Sequence, residues 1–234
     1  MTAVILAGGK GSRLRPLTTD LPKPLVKIGD RSILEVLLRR MADTGVHRVH
    51  LAVNHLADQI EAVIGDGQRF GLECRYSRET QPLSTIGPLR LIPGLPEDFL
   101  VANGDILTDL DFGRLFETHL QSGARLTIAV YRRDSIVDFG VIETNNDGLV
   151  SGFEEKPRSS LTVSMGLYVL SSSLIQTIPA DQPYGFDQLV SDMLSRGEPI
   201  ATHAHYGYWL DIGRPEDYLQ AQKDIDQIEG LLRP

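Results

Sequence analysis

The residues with the clearest chemistry lie near the start of the chain, in Ala7-Gly8-Gly9-Lys10-Gly11-Ser12-Arg13-Leu14, with Pro22-Lys23-Pro24 shortly after. A short apolar run, Ala3-Val4-Ile5-Leu6, precedes them and reads as a buried strand. Glycines in a turn that leaves a strand let backbone N–H groups approach a phosphate with no Cβ in the way. Arg13 and Lys23 add the positive charge that a triphosphate requires. Two familiar loops are excluded. A dinucleotide fingerprint needs a small residue where Leu14 stands, and a Walker A loop needs Gly-Lys-Ser/Thr where Lys10 is followed by Gly11.

Two acids occupy places where chemistry could use them. Asp105 follows Phe99-Leu100-Val101-Ala102-Asn103-Gly104, at the end of an apolar strand, and a carboxylate there points into the crevice of an α/β sheet. Its plain alternative is a turn or cap role. Asp211, in Tyr208-Trp209-Leu210-Asp211-Ile212-Gly213, is flanked by apolar groups and needs a partner such as a cation. The single cysteine, Cys74, reads as core packing and excludes an internal disulfide or a thiolate cluster. His203 and His205 alternate on one strand, but the six histidines offer no convincing metal-ligand spacing.

These residues need a frame to hold them. Candidate strands are residues 3–7, 48–53, 73–77, 99–103 and 126–131; residues 33–41, 57–64, 88–92 and 112–121 read as helices or helical turns. This alternation predicts a Rossmann-like, mostly parallel α/β sheet with helices on both faces. In such a sheet, ligands bind beyond the carboxyl ends of the strands. The second half predicts a hairpin, residues 139–143 and 149–154, around Asn145-Asn146-Asp147-Gly148. Further strands follow at 164–170 and 200–205, then a closing helix at 215–228 with Pro215 in its first turn. At 234 residues the chain is in range for one α/β domain, read as a nucleotide-binding half (1–125) and a second half (126–234).

The composition is 41% hydrophobic and 23% charged, as for a soluble protein with a real core. A net charge of −8 argues against nucleic acid as a partner. No apolar run is long enough to cross a membrane, and no signal peptide precedes the glycine loop, so the expectation is a cytoplasmic enzyme.

From Gly8 to Pro24 the chain resembles the nucleotidyltransferases that make nucleotide-sugars. Their signature is Gly-Gly-x-Gly-x-Arg-Leu-x-Pro-Leu-Thr followed by Pro-Lys-Pro, and every fixed position is present. The resemblance extends over nearly the whole chain. It implies attack of a sugar 1-phosphate on the α-phosphate of a nucleoside triphosphate, giving a nucleotide-sugar and pyrophosphate. It also implies Mg²⁺ held by Asp105 and Asp211, with Arg13 and Lys23 as catalytic cations. The nucleotide would meet Leu6, Ala7, Gly8, Gly9, Gly11, Ser12, Arg13, Lys23 and Asp105. Its base would meet Glu79, Gln81, Pro82, Thr85 and Gly87. By the same resemblance, Lys156 and Glu155 of Glu154-Glu155-Lys156-Pro157 hold the sugar phosphate, with Asn103, Gly140 and Gly166 beside them.

Ser84 and Ile86 depart from the family's Pro-Leu-Gly-Thr-Ala-Gly, which is expected to reshape the base pocket. The ending from Trp209 to Tyr218 looks most like guanylyltransferases acting on mannose-, heptose- or amino-sugar 1-phosphates, which favours GTP. Uridylyl- and thymidylyltransferases share most of these motifs. A phosphocholine cytidylyltransferase and a catalytically silent nucleotide-sugar-binding regulator are the other readings. Many relatives carry an appended β-helix; without hexapeptide repeats after Asp211, none is expected here. A homo-oligomer fits the resemblance.

Overall fold

The computed structural model describes residues 1–226, 228 and 230. Its strands are β1 (Thr2–Leu6), β2 (Lys27–Ile28), β3 (Arg31–Ser32), β4 (Arg48–Val53), β5 (Glu73–Arg78), β6 (Asp98–Asn103), β7 (Ile106–Thr108), β8 (Leu126–Ile136), β9 (Gly140–Thr144), β10 (Val150–Glu155), β11 (Arg158–Ser171), β12 (Ala201–His205) and β13 (Trp209–Asp211). The helices are α1 (Ile33–Asp43), α2 (Ala57–Ile64), α3 (Phe112–Ser122), α4 (Phe186–Ser195) and α5 (Pro215–Lys223). A seven-stranded sheet runs β12-β8-β11-β6-β1-β4-β5. Only β11 is antiparallel to its neighbours, so the α/β, mostly parallel architecture is as predicted.

Alternation along β1 shows how the sheet separates two cores. Ala3 and Ile5 join a cluster with Leu34, Leu38 and Met41 of α1, Ile60 of α2 and Leu115 of α3. Val4 faces the other way, toward Leu89, Leu174, and Leu189 and Met193 of α4. Helices therefore cover both faces, as buried parallel strands require. A third cluster, including Leu14, Ile28, Ile33, Leu107 and Ile212, lies under the loops that carry the candidate site. Local signals support the frame. Ser32 caps α1 through a reciprocal exchange with Glu35, and Asp111 caps α3 by accepting from the Arg114 N–H at 3.1 Å.

Several predicted spans shift. Residues 88–92, read as a helix or helical turn, form a 3₁₀ turn, Gly87–Leu91, with Pro88 in its first turn. The strand predicted at 164–170 begins at Arg158. Its first part pairs with the end of β8 as an exposed two-stranded arm, Ile136 opposite Arg158. The β9–β10 hairpin extends that arm, and Asn145 Oδ1 accepts from the Asp147 and Leu149 N–H groups at 3.0 and 2.9 Å in its turn. The regular part of the closing helix ends at Lys223; the predicted span also reaches residue 227, which lies outside the described residues. Among the described residues no helix is long and apolar enough to cross a membrane.

Candidate active site

Strand order reverses at β1, with β4 on one side and β6 on the other. The carboxyl ends of these strands open into a cavity of about 640 Å³, the place where open α/β sheets bind ligands. Leu6 ends β1, Asn54 and His55 follow β4, Glu79 follows β5, and Asn103 and Asp105 lie at the end of β6; all line the cavity. Gly8, Gly9, Lys10 and Arg13 of the first loop close one wall, and Pro82, Ser84, Thr85 and Pro88 another. Gly8 is required by close approach. A Cβ there would lie 2.6 Å from Glu79 Oε1 and 3.2 Å from Asn54 Cβ.

The two aspartates come together through a short ladder. β13 runs antiparallel to β7, with Asp211 opposite Ile106, and the Ile212 N–H donates to the Asp105 carbonyl at 3.0 Å. Lys23, buried at 8% exposure, donates to Asp105 Oδ2 and lies 4.0 Å from Asp211 Oδ1. Asp105 Oδ1 and Asp211 Oδ1 are buried with no hydrogen-bond partner. Burial, and then the charge of Asp105, push the Asp211 carboxyl up to about 6; Lys23 and Arg13 oppose that rise. Lys23 thus lies between the two carboxylates, and one oxygen on each has no hydrogen-bond partner.

Glu79 anchors the loop of residues 80–86. Its Oε2 accepts from the Leu83 N–H at 3.1 Å. Burial raises its pKa, while the bonds from Leu83 and Asn54 pull the other way. Ser84 holds a left-handed φ of +66°, which keeps the tight turn and presents a side chain to the cavity. Ile86 does not. It is fully buried in the second core, so the expected effect of Ile86 on the pocket is corrected: its bulk packs against the sheet.

Of the sequence-nominated residues, Leu6, Gly8, Gly9, Arg13, Glu79, Pro82, Thr85, Asn103, Asp105 and Asp211 line this one cavity. Ala7, Gly11, Ser12, Lys23, Gln81 and Gly87 stand outside its lining. Ala7, Lys23 and Gly87 are buried, and Gln81 donates to the Asp181 carbonyl at 3.0 Å. Gly140, Glu155 and Lys156 lie on the exposed arm, where Lys156 pairs with Asp138 at 2.7 Å. Gly166, at φ +72°, sits in an irregularity of β11 between Ser164 and Tyr168. A Cβ on it would lie 2.6 Å from Asn103 Nδ2.

Asn54, His55, Pro88 and Lys10 line the cavity without having been nominated. The strand-end rule applied to β4 points to the first two. Cys74 is buried in the first core, and burial, with the charge of Asp66, pushes its thiol up to about 11. His203 Nδ1 pairs with Thr118 Oγ1 at 2.8 Å, and His205 Nε2 with Asp109 Oδ1 at 2.8 Å.

The chain is 34% identical to the mannose-1-phosphate guanylyltransferase catalytic subunit beta of Drosophila pseudoobscura pseudoobscura, over 93% of this chain and 60% of the relative. It is 33% identical to the UTP–glucose-1-phosphate uridylyltransferase of Synechocystis, over 96% of this chain and 63% of the relative. The chain thus spans about 60% of the length of these curated relatives. Among solved structures, HddC from Yersinia pseudotuberculosis is similar at 29% identity and a TM-score of 0.74, covering 96% of this chain and 99% of that one. HddC is also known in complex with GMP-PN. The description "Nucleotidyl transferase" matches residues 2–228. That span takes in every strand, loop and carboxylate that builds the cavity, and the chain belongs to the nucleotidyl transferase family.

Proposed function

We propose that this chain transfers a nucleotidyl group from a nucleoside triphosphate to a sugar 1-phosphate, releasing pyrophosphate. One observation carries the reading: two carboxylates from distant parts of the chain share a buried lysine at the mouth of a glycine-lined cavity. The attacking phosphate oxygen is already anionic, so in-line displacement at the α-phosphorus needs no protein base and no covalent intermediate. Catalysis is then positioning and charge stabilisation.

Asp105 and Asp211 fit a divalent cation such as Mg²⁺, because each offers a hard oxygen with no hydrogen-bond partner. Such an ion, when bound, neutralises phosphate charge and orients the phosphates. Gly8, Gly9, Gly11 and Ser12 offer backbone N–H groups to the nucleotide, and Arg13 neutralises its outer phosphates. Lys23 faces the reacting phosphate from beside Asp105. Glu79, Gln81, Pro82, Thr85 and Gly87 form or brace the base wall. Asn103, Gly140, Glu155, Lys156 and Gly166 serve the sugar phosphate from the second half of a single transferase domain. GTP is the favoured nucleotide, supported by relatives named guanylyltransferases and by HddC with GMP-PN.

The test is a screen of GTP, UTP, dTTP, CTP and ATP against sugar 1-phosphates and phosphocholine, scored by pyrophosphate release. The expected result is release with a sugar 1-phosphate, highest with GTP. Absence of release with every acceptor sinks the reading in favour of a silent nucleotide-sugar binder, and release with phosphocholine alone moves it to choline chemistry.

A further inference from the structure

Outside the cavity, Arg39 of α1 and Arg69 of the 3₁₀ turn Gln68–Phe70 flank the buried ring of Phe70, and Arg31 stands on β3, which packs against α1. The guanidinium carbons of Arg69 and Arg39 lie 4.5 and 5.6 Å from the Phe70 ring centroid. Among the described residues, Glu35 is the one carboxylate paired with these arginines, through Oε1 to Arg69 Nη2 at 2.8 Å. Its Oε2 is already committed to the Ser32 N–H and hydroxyl at 2.9 and 2.8 Å.

The arginines are left with unused donors. Arg31 Nη1 and Arg39 Nε are buried and have no hydrogen-bond partner. Burial and then the charge of Arg31 hold Arg39 below its ordinary pKa, with Arg69 adding to the repulsion and Glu35 and Asp43 opposing it. Buried guanidinium N–H groups without acceptors are costly, and like charges packed together add to that cost. An acceptor with more than one oxygen and more than one negative charge removes both penalties at once. A carboxylate has two oxygens and a single charge. A phosphate group has the oxygens and the charge to meet planar forks from several sides.

We infer that Arg31, Arg39 and Arg69 form a second anion site that takes a phosphate group and ties β3, α1 and the 68–70 turn together. The group could arrive as inorganic phosphate, on a sugar phosphate or on a nucleotide. The full chain is titrated with inorganic phosphate by calorimetry and thermal melting, against chloride at matched ionic strength. Wild type is compared with Arg31→Gln, Arg39→Gln and, to silence the proposed nucleotide site, Arg13→Gln.

Phosphate binding should persist in Arg13→Gln and weaken about 10- to 100-fold in Arg31→Gln and Arg39→Gln, the loss expected for a charge-assisted bond. Near a hundredfold excess over its Kd, phosphate should raise the Tm of wild type by about 5–10 °C. Without phosphate, Arg39→Gln should melt no lower than wild type, because it removes repulsion; a plain structural role for the side chain would lower it. In the Arg13→Gln background, comparing phosphate with a sugar 1-phosphate and GMP identifies the carrier. Binding by none of the three, wild-type affinity in Arg31→Gln and Arg39→Gln, or loss confined to Arg13→Gln overturns the site. Since these readouts do not use turnover, the site stands or falls apart from the transfer reaction.

Discussion

Asp105 and Asp211 look interchangeable in the sequence and are not so in their surroundings. Asp105 is bonded to Lys23, whereas Asp211 is penalised by burial and by Asp105 itself. Asn at either position should lower kcat by about 10²–10³-fold, the scale of losing one preorganised electrostatic group. The stability effects should differ in sign. Asp211→Asn should keep or raise the Tm, and Asp105→Asn should lower it by leaving the buried Lys23 ammonium without its bonded partner. Steady-state rates and melting curves for the two variants check this, and matching Tm losses would contradict it. Chelation should stop turnover and added Mg²⁺ restore it; chelated enzyme that keeps more than about a tenth of its rate rules out a metal role for the pair. Ser84 poses a separate question. Its left-handed backbone costs about 1–2 kcal/mol relative to glycine, and its side chain faces the cavity. Ser84→Ala keeps the strain and removes the hydroxyl; Ser84→Gly removes both. Both should change the ranking of kcat/KM among the five triphosphates. Ile86→Ala should instead cost about 2–5 kcal/mol of stability, as for a buried aliphatic, and leave the ranking alone. An unchanged ranking in Ser84→Ala places that hydroxyl away from the nucleotide.

The arm made by the ends of β8 and β11 and the β9–β10 hairpin contributes no residue to the buried cores between Ala129 and Met165. Ile136 and Arg158 are direct partners at its base, so a two-residue Asn-Gly turn can replace residues 137–157 without disturbing register. That variant should melt close to wild type while losing most of its kcat/KM for the sugar phosphate, through the loss of Glu155 and Lys156. Retained sugar-phosphate turnover would remove the arm from the site. Gly166→Ala is the complementary change, because its Cβ would press on Asn103 from a left-handed backbone; it should lower kcat/KM with a smaller effect on triphosphate binding. How much of this is legible in the sequence varies with the element. β4 and α2 appear with the boundaries their apolar patterns imply, since each buries one strong periodic run. β7 and β13 are three residues each and pair across about a hundred positions, so no local period announces them. The glycine loop is legible from its run of glycines and nearby cations, and the two aspartates from the resemblance, since Asp at a strand end alone also reads as a turn or cap residue. Lys23's burial is not, because a lysine between two prolines reads as exposed until the two carboxylates that hold it are known to be adjacent.

On the scale of the whole molecule, an excess of acid governs behaviour less than a few buried basic groups do. His50 lies in β4, 6% exposed, beside Arg75 across the ladder. Burial, then the charges of Arg75 and Arg48, hold its pKa below the ordinary 6.5, with Glu73 pulling the other way. The folded chain therefore resists a proton that the unfolded chain accepts. Above pH 6.5 both forms are neutral and His50 adds no slope. As the pH falls below 6.5 the unfolded chain alone takes up the proton, and stability drops until the folded value is passed. His203 is lowered in the same direction by burial and by His205, so the two act together. Tm measured from pH 8 to pH 5 should be nearly level at the alkaline end and fall below about pH 6.5. His50→Gln should flatten that fall, leaving the part due to His203, whatever it does to the Tm at pH 8. An identical acid slope in His50→Gln and wild type would mean that His50 is protonated in the folded chain, and that Glu73 outweighs its burial and both arginines.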